Sequence, residues 1–480
     1  MALTSKVLKG SSWIFGLQVV QRVMRTSRAF ILARLLAPED FGLFGIASLM
    51  LLGFEVFTRT GIGDAIIHTD DDIESYLHTS YWIQVTRGFA LAGIIFLSAP
   101  YIAVFFDNLA VTSVCRFLAL VVIFRGIRSV GIVILQRELD FKNEAIYLFL
   151  ASLIEFISTL FLAYSIKNVW ALIIGFLIGE LTLTFLSFVF HPYRPKLLFD
   201  FQKSQKLTQF GRWILLSGIV SYISLQLDNI LVGRWVSLEA LGIYQMAYFL
   251  ANLPATEITK VISKVLDPAY AKLQNDKERL LSAFRKSFTV STALVLPLAV
   301  GLTVAAPIVV TILLGKNWNE AIPLVSILSL GGLFRGFGAV GGSLFKALGV
   351  PHLIFKIELI RAITLGISIY PAFLIGGSIG IAWASVASTV VMFLATFWSI
   401  FRIIGQPRIL LQPSLDIAAA TYGMGSVLFF ATRFVAPGWI EWIFVALISA
   451  FVYFSILVLL FRNEEFLYLG LKSKGKNDGK

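Results

Sequence analysis

Gly10–Leu36, GSSWIFGLQVVQRVMRTSRAFILARLL, is an apolar stretch with Arg22, Arg25 and Arg28 inside it, and its reading decides the fold. It is long enough to cross a bilayer core of about 30 Å with some tilt. Arg22 and Arg25 lie near its middle, too deep to snorkel out. A charge there costs about 3 kcal/mol even on the lenient insertion scale, so an internal acid or an anionic ligand must hold it. With Gln18 and Gln21, the three arginines fill an arc of about 120° on the helical wheel. One wet, cationic face is thus turned away from lipid.

Apolar segments of similar length recur along the 480 residues, of which 58% are hydrophobic and only 14% charged. The expected class is an all-α polytopic membrane protein. About fourteen spans are expected, near 11–36, 41–64, 79–105, 110–135, 144–166, 169–190, 211–235, 240–262, 288–314, 321–346, 354–376, 378–403, 415–435 and 439–461. No cleavable signal peptide is expected, because the first apolar run holds arginines and lacks a small-residue cleavage site. Loop charge orients the chain: Arg194, Lys196, Lys203, Lys206, Lys272, Lys277, Arg279, Arg285, Lys286, Arg402, Arg408 and the tail lysines fall on one side. By the positive-inside rule that side, and both termini, are cytoplasmic. The net charge of +12 is accounted for by this orientation and does not call for nucleic acid. Ala269–Phe284 is amphipathic and is expected to lie on the cytoplasmic membrane surface. Trp13, Trp170, Trp235, Trp318, Trp439 and Trp442 are expected as interfacial anchors. A lone Cys115 excludes an internal disulfide, and four scattered histidines offer no metal-ligand spacing, so neither metal nor cofactor is expected.

The chain repeats itself. A shift of 200 places Lys6, Trp13, Ile14, Val20, Arg34, Glu39 and Gly42 on Lys206, Trp213, Ile214, Val220, Arg234, Glu239 and Gly242. A shift of 210 places Phe124-Arg125-Gly126 and Val130-Gly131 on Phe334-Arg335-Gly336 and Val340-Gly341. Each unit holds an even number of spans, so the two are expected as six-helix lobes related by a pseudo-twofold axis along the membrane normal, around a central cationic cavity. The expected divisions are 1–200, 201–410, a pair of extra helices at 411–463 and a basic cytoplasmic tail at 464–480.

Ser217, Ser221, Ser224 and Asp228 form a polar stripe in the seventh span, and the repeat sets Asp228 against Arg28, which suggests an ion pair. Further arginines at membrane depth are Arg87, Arg125, Arg128, Arg335 and Arg361. Arg22, Arg25, Arg28, Gln18, Gln21, Arg87, Arg125 and Arg335 are the candidates for contact with an anionic substrate, since guanidinium forks match phosphate geometry. The competing account is structural pairing, which Glu55 with Arg59 and Glu358 with Arg361 satisfy at helical spacing. Gly126 and Gly336 are read as close-packing positions. Glu155 and Glu180 are either coupling carboxylates, for a proton or sodium ion, or counter-charges to the first-span arginines.

LAPEDFGLFG (Leu36–Gly45), TGIGDAIIH (Thr60–His68), LQRELDFK (Leu135–Lys142) and LLGKNWNEA (Leu313–Ala321) together resemble bacterial oligosaccharide flippases. These form the polysaccharide-transporter branch of the multidrug/oligosaccharidyl-lipid/polysaccharide exporter superfamily. The resemblance is nearest to the colanic acid and teichuronic acid type and covers nearly the whole chain. It implies a two-lobe transporter of the bacterial inner membrane. Such a protein moves polyprenyl-diphosphate-linked oligosaccharide between leaflets by alternating access, for exopolysaccharide, O-antigen or capsule, alongside polymerase machinery. It implies no residue roles, because the family has no agreed signature. A peptidoglycan-precursor flippase and a drug or cation exporter of the same superfamily are the alternatives. The exporter would line its cavity with acids, where this chain has more arginine. An integral-membrane polymerase or ligase would need a large outer loop and a nucleophile–base pair, and the sequence offers neither.

Overall fold

The structure, a computed structural model, describes residues 2–58, 73–138, 140–196, 198, 200–404, 408–435 and 439–461. Arg59 and the TGIGDAIIH motif lie outside them. The described residues are helical: α1 (Ala2–Leu35), α2 (Pro38–Phe57), α3 (Ile73–Phe105), α4 (Ala110–Ile127), a short α5 (Ile132–Arg137), α6 (Phe141–Ile166) and α7 (Val169–Phe190). There follow α8 (Phe201–Trp235), α9 (Leu238–Leu273), α10 (Lys277–Leu313), α11 (Ala321–Ala347), α12 (His352–Ile404), α13 (Arg408–Phe434) and α14 (Trp439–Phe461). Ten of these are long and apolar enough to cross a membrane. α12 breaks at Gly376–Gly377, where Gly377 takes a φ of +55°, and so serves as two spans. α1, α8 and α9 are also long but more polar, and are not among those ten.

Two compact units result, Met1–Gln245 and Met246–Lys480. α8 belongs to the first: the Tyr222 hydroxyl donates to the Leu49 carbonyl of α2 at 2.9 Å. The starts of α2 and α9 also meet there backbone to backbone. A Cβ on Gly42 would fall inside the Leu238 carbonyl, and one on Gly242 inside the Pro38 carbonyl. Gly42 and Gly242 are repeat mates, as are Pro38 and Leu238. A contact that exchanges mates in this way is what a local twofold produces.

In the second unit α13 and α14 pack on α10. Met424, Leu428, Trp442 and Val445 bury against Val304, Ile308 and Ile312, and Tyr453 donates to the Ala293 carbonyl at 2.7 Å.

Three expectations change. The fourth span does not run unbroken over 110–135: α4 ends at Arg128, which is extended (φ −60°, ψ 136°). Ala269–Phe284 is not one surface helix: it holds the end of α9, a turn at 274–276 and the start of α10. Its apolar residues Tyr270, Leu280 and Phe284 bury against Leu344, Phe345 and Ile357, because α11 and α12 offer a better apolar partner than an interface. Trp318 is fully buried rather than interfacial, and Trp442 lies in the α13–α14 core.

Beside that turn, Asp267 meets Lys346 at 3.1 Å. Burial pushes the Asp267 carboxyl up, but the Ser343 hydroxyl and the Lys346 ammonium outweigh it and hold the group below the usual carboxylate range.

Candidate functional site

The break after α4 organises the site. A helix end inside a membrane leaves its last carbonyls without partners, and each must find a donor. Gln84 of α3 supplies one amide to the carbonyls of Arg125, Gly126 and Arg128, at 2.9, 3.2 and 3.0 Å. Thr184 donates to Phe124 O at 2.9 Å and Tyr81 to Ile127 O at 3.4 Å. Beyond the break, the Ser129 amide donates to Ser187 Oγ at 3.0 Å. Gln84 can reach because α3 and α4 touch through glycine. A Cβ on Gly88 would lie 2.8 Å from Gly126 Cα, and one on Gly126 3.0 Å from Gly88 Cα. The close-packing reading of Gly126 therefore holds, and it sets Arg87 and Arg125 on neighbouring turns.

These turns line a cavity of about 560 Å3, together with Leu52, Glu55, Val56, Gln84, Leu91, Val122, Arg128 and Glu180. Glu180, buried on α7, bridges two arginines. Its Oε1 accepts from Arg125 Nε at 3.0 Å and Nη2 at 2.6 Å, and its Oε2 pairs with Arg128. Arg125 Nη1 reaches Glu55 Oε1 of α2 at 2.5 Å. Glu55 thus reaches a different helix; the pairing expected with Arg59 lies outside the described residues. Arg87 caps the end of α2. Its Nη2 donates to the Glu55 carbonyl at 3.1 Å, and Nε and Nη2 donate to the Thr58 hydroxyl at 3.1 and 3.0 Å. A cation suits the negative end of a helix dipole. The lining therefore carries three arginines against two carboxylates.

The first-helix group forms a second cluster. Gln21 donates to the Leu148 carbonyl at 3.1 Å and Ser152 Oγ at 2.8 Å of α6, and Arg28 pairs with Glu155. Glu155 is admitted by a glycine: a Cβ on Gly179 of α7 would lie 2.8 Å from its Cγ. Arg22 is half-buried, while Gln18 and Arg25 are exposed on the same helix. Glu155 thus pairs with a first-span arginine, and Glu180 with the arginines of α4 and the break after it. Asp228, set against Arg28 by the repeat, is buried and accepts from the Tyr244 hydroxyl at 3.0 Å.

The second unit holds Arg335 on α11. Its Nη2 donates to Asn252 Oδ1, and its guanidinium lies 5.1 Å over the Tyr248 ring. Its Nε is shielded from solvent and makes no hydrogen bond, a shortfall that costs about 1–3 kcal/mol. Arg361 is buried 3.7 Å from Glu358, the pair expected at helical spacing. Among the described residues, no group of three or more His, Cys, Asp or Glu side chains could hold a metal ion. Sequence reasoning missed Arg128 as a site residue beside Arg125, and Gln84 altogether. Its only visible sign was an amide in an apolar span.

A profile of the polysaccharide biosynthesis protein family matches residues 31–323, more than half of the chain. The chain belongs to that family. It is similar to the lipopolysaccharide biosynthesis protein WzxC of Escherichia coli (strain K12). The two are 28% identical over 416 residues, which cover 84% of this chain and 82% of WzxC. It is 24% identical over 405 residues to the teichuronic acid biosynthesis protein TuaB of Bacillus subtilis (strain 168), covering 84% of each. Among solved structures, the lipid II flippase MurJ in an inward closed conformation superposes with a TM-score of 0.78. The match has 16% identity and covers 95% of this chain and 99% of that one. A MATE multidrug transporter of the MOP superfamily, inward-facing, reaches 0.59 at 15% identity, over 81% and 96%. These likenesses show the fold, an all-helical one shared with those membrane proteins. This family member is therefore a multi-pass membrane protein.

Proposed function

We propose that this family member moves polyprenyl-diphosphate-linked oligosaccharide repeat units from the cytoplasmic to the outer leaflet of the bacterial inner membrane, by alternating access, to feed surface polysaccharide assembly. The observation that carries the reading is the cavity between α2, α3, α4 and α7, where Arg87, Arg125 and Arg128 outnumber Glu55 and Glu180. A diphosphate is the part of such a substrate that needs fixed cations in a low-dielectric setting, and arginine forks take its oxygens two at a time. Glu55 and Glu180 keep Arg125 and Arg128 aligned when no substrate is bound, so the site does not hold uncompensated charge. The diphosphate enters by taking arginine donors from these carboxylates. Arg22 and Arg25, on the first helix, extend the cationic path.

The relatives support the reading, being named for lipopolysaccharide and teichuronic acid biosynthesis. The loop charges support cytoplasmic termini. Driving the cycle belongs to an exchanged ion, a proton or sodium, taken up at Glu55 or Glu180 as they release their arginines. The polymerase machinery that consumes the flipped lipid is the partner on the far side. No bond is made or broken in this account.

The test is surface-polymer production in a strain lacking the gene, complemented with wild type, Arg125→Gln or Arg128→Gln at matched membrane abundance. Rescue by wild type and failure of both variants is expected. Full rescue by both variants would refute the assignment of the cavity, and wild type that restores drug efflux but no polymer would refute the substrate class.

A further inference from the structure

Arg335 and Arg125 are repeat mates, yet their surroundings have diverged. Arg125 is balanced by Glu55 and Glu180. The shift of 200 puts Ala255 in the place of Glu55, and the shift of 210 puts Val390 in the place of Glu180. The second unit has thus kept the arginine and given up both acids. It has gained Tyr248 and Asn252 where the first unit has Ser48 and Leu52. These are the two groups that hold Arg335, one through its ring face and one through its amide oxygen. Asn252 is itself fixed, because its Nδ2 donates to the Tyr248 carbonyl at 2.8 Å. Both partners are neutral, so among the described residues no carboxylate pairs with the guanidinium, which sits halfway along a helix apolar enough to cross the membrane. Its donors also outnumber the acceptors that meet them among the described residues: Nε makes no bond, and Nη2 is taken up by Asn252. A strut at this point would be cheaper as leucine. A positioned cation with spare donors and no carboxylate among its described neighbours is the arrangement of an oxyanion subsite.

We propose that Arg335, held by Asn252 and Tyr248, is a second anion subsite, which takes an acidic group of the transported lipid. That group is either the phosphate of the linker or a carboxylate of the glycan. The proposal rests on the flippase reading and adds to it a specificity element in the second unit.

The test measures binding of two probes to the purified full-length chain in lipid nanodiscs: farnesyl diphosphate, and octyl glucuronide with octyl glucoside as its neutral control. Wild type, Arg335→Gln, Arg335→Lys and Arg125→Gln are compared, each with its melting midpoint. Arg335→Gln is expected to weaken at least one charged probe about tenfold, as loss of a charge-assisted bond does, with octyl glucoside unchanged and part of the affinity restored in Arg335→Lys. A loss confined to farnesyl diphosphate assigns the subsite to the linker, and one confined to the glucuronide assigns it to the glycan. Wild-type affinity for both probes in Arg335→Gln overturns the proposal, as does wild type that binds neither. Farnesyl diphosphate binding that needs Arg125 but not Arg335, with glucuronide unaffected, sinks the subsite and leaves the flippase reading standing. Glucuronide binding that needs Arg335, with no binding of farnesyl diphosphate at all, keeps the subsite and counts against the lipid-linked substrate.

Discussion

Replacing Glu180 with glutamine keeps the shape of the side chain and removes the negative charge that Arg125 and Arg128 share. Glu180 is 8% exposed and receives Arg125 at 2.6 Å, so its carboxylate is screened little by water. Removing one partner of such a buried pair costs about 3–5 kcal/mol. Two features lower the figure. The Arg125 and Arg128 side chains are 29% and 27% exposed, so water resolvates them in part, and Glu55 still holds Arg125. About 2–3 kcal/mol remains. The assay is thermal denaturation of the purified protein in detergent for Glu180→Gln, Arg128→Gln and the double variant. Each single change should lower the melting midpoint, and the double variant should lie well above the sum of the two losses, since the second change removes a charge the first left unpaired. Strictly additive losses, or no loss in Glu180→Gln, would refute the bridging role.

Gln84→Leu leaves the carbonyls of Arg125, Gly126 and Arg128 without their donor, so it should destabilise by about 1–3 kcal/mol per carbonyl that water cannot reach. Gln84→Glu, which offers no donor when ionised, should be no better, and a melting curve equal to wild type for either would contradict the capping. Gly42→Ala sets a methyl into the Leu238 carbonyl and should abolish complementation, whereas Gly16→Ala, with nothing within 4 Å of the added carbon, should be tolerated. Equal activity of the two would show that the α2–α9 approach is not needed. The Asp267 carboxyl is held below its usual range, so the stability it adds is present above about pH 4 and is lost as pH falls through its folded value. The pair is exposed, so the effect is at most about 1 kcal/mol. The gap in melting midpoint between wild type and Asp267→Asn should therefore narrow as pH is lowered from 6 towards 3, and a gap that widens would reverse the sign.

The helical membrane class was legible, and the arginines at membrane depth stood out, because hydropathy and charge are local properties. Glu358–Arg361 was legible for the same reason, since helical spacing alone brings the two together. The repeat made Arg125 and Arg335 stand out, and it foretold mates that the Gly42–Gly242 contact then joined. What stayed hidden was long-range choice of partner. Glu180 lies 55 residues from Arg125 and 52 from Arg128, and nothing on its own helix points to either. Glu55 meets Arg125, 70 residues away on another helix. The break at Arg128 was invisible because the residues after it are as apolar as those before. It exists because Gln84, Thr184 and Tyr81 can satisfy the freed carbonyls, which is a property of three other turns. Trp318 was misread because a tryptophan at a span end looks the same in sequence whether it faces lipid or core.

The central claim is that this protein transfers a diphosphate-linked glycan between leaflets through an arginine cavity. Its most direct test is to reconstitute the protein in vesicles with a fluorescent polyprenyl-diphosphate-linked oligosaccharide and follow, with a membrane-impermeant quencher, the fraction of lipid exposed outside. The account predicts that wild type equilibrates the two leaflets and that Arg125→Gln and Arg128→Gln do not. Protection identical in protein-free and wild-type vesicles, or equilibration undiminished in both variants, would contradict it.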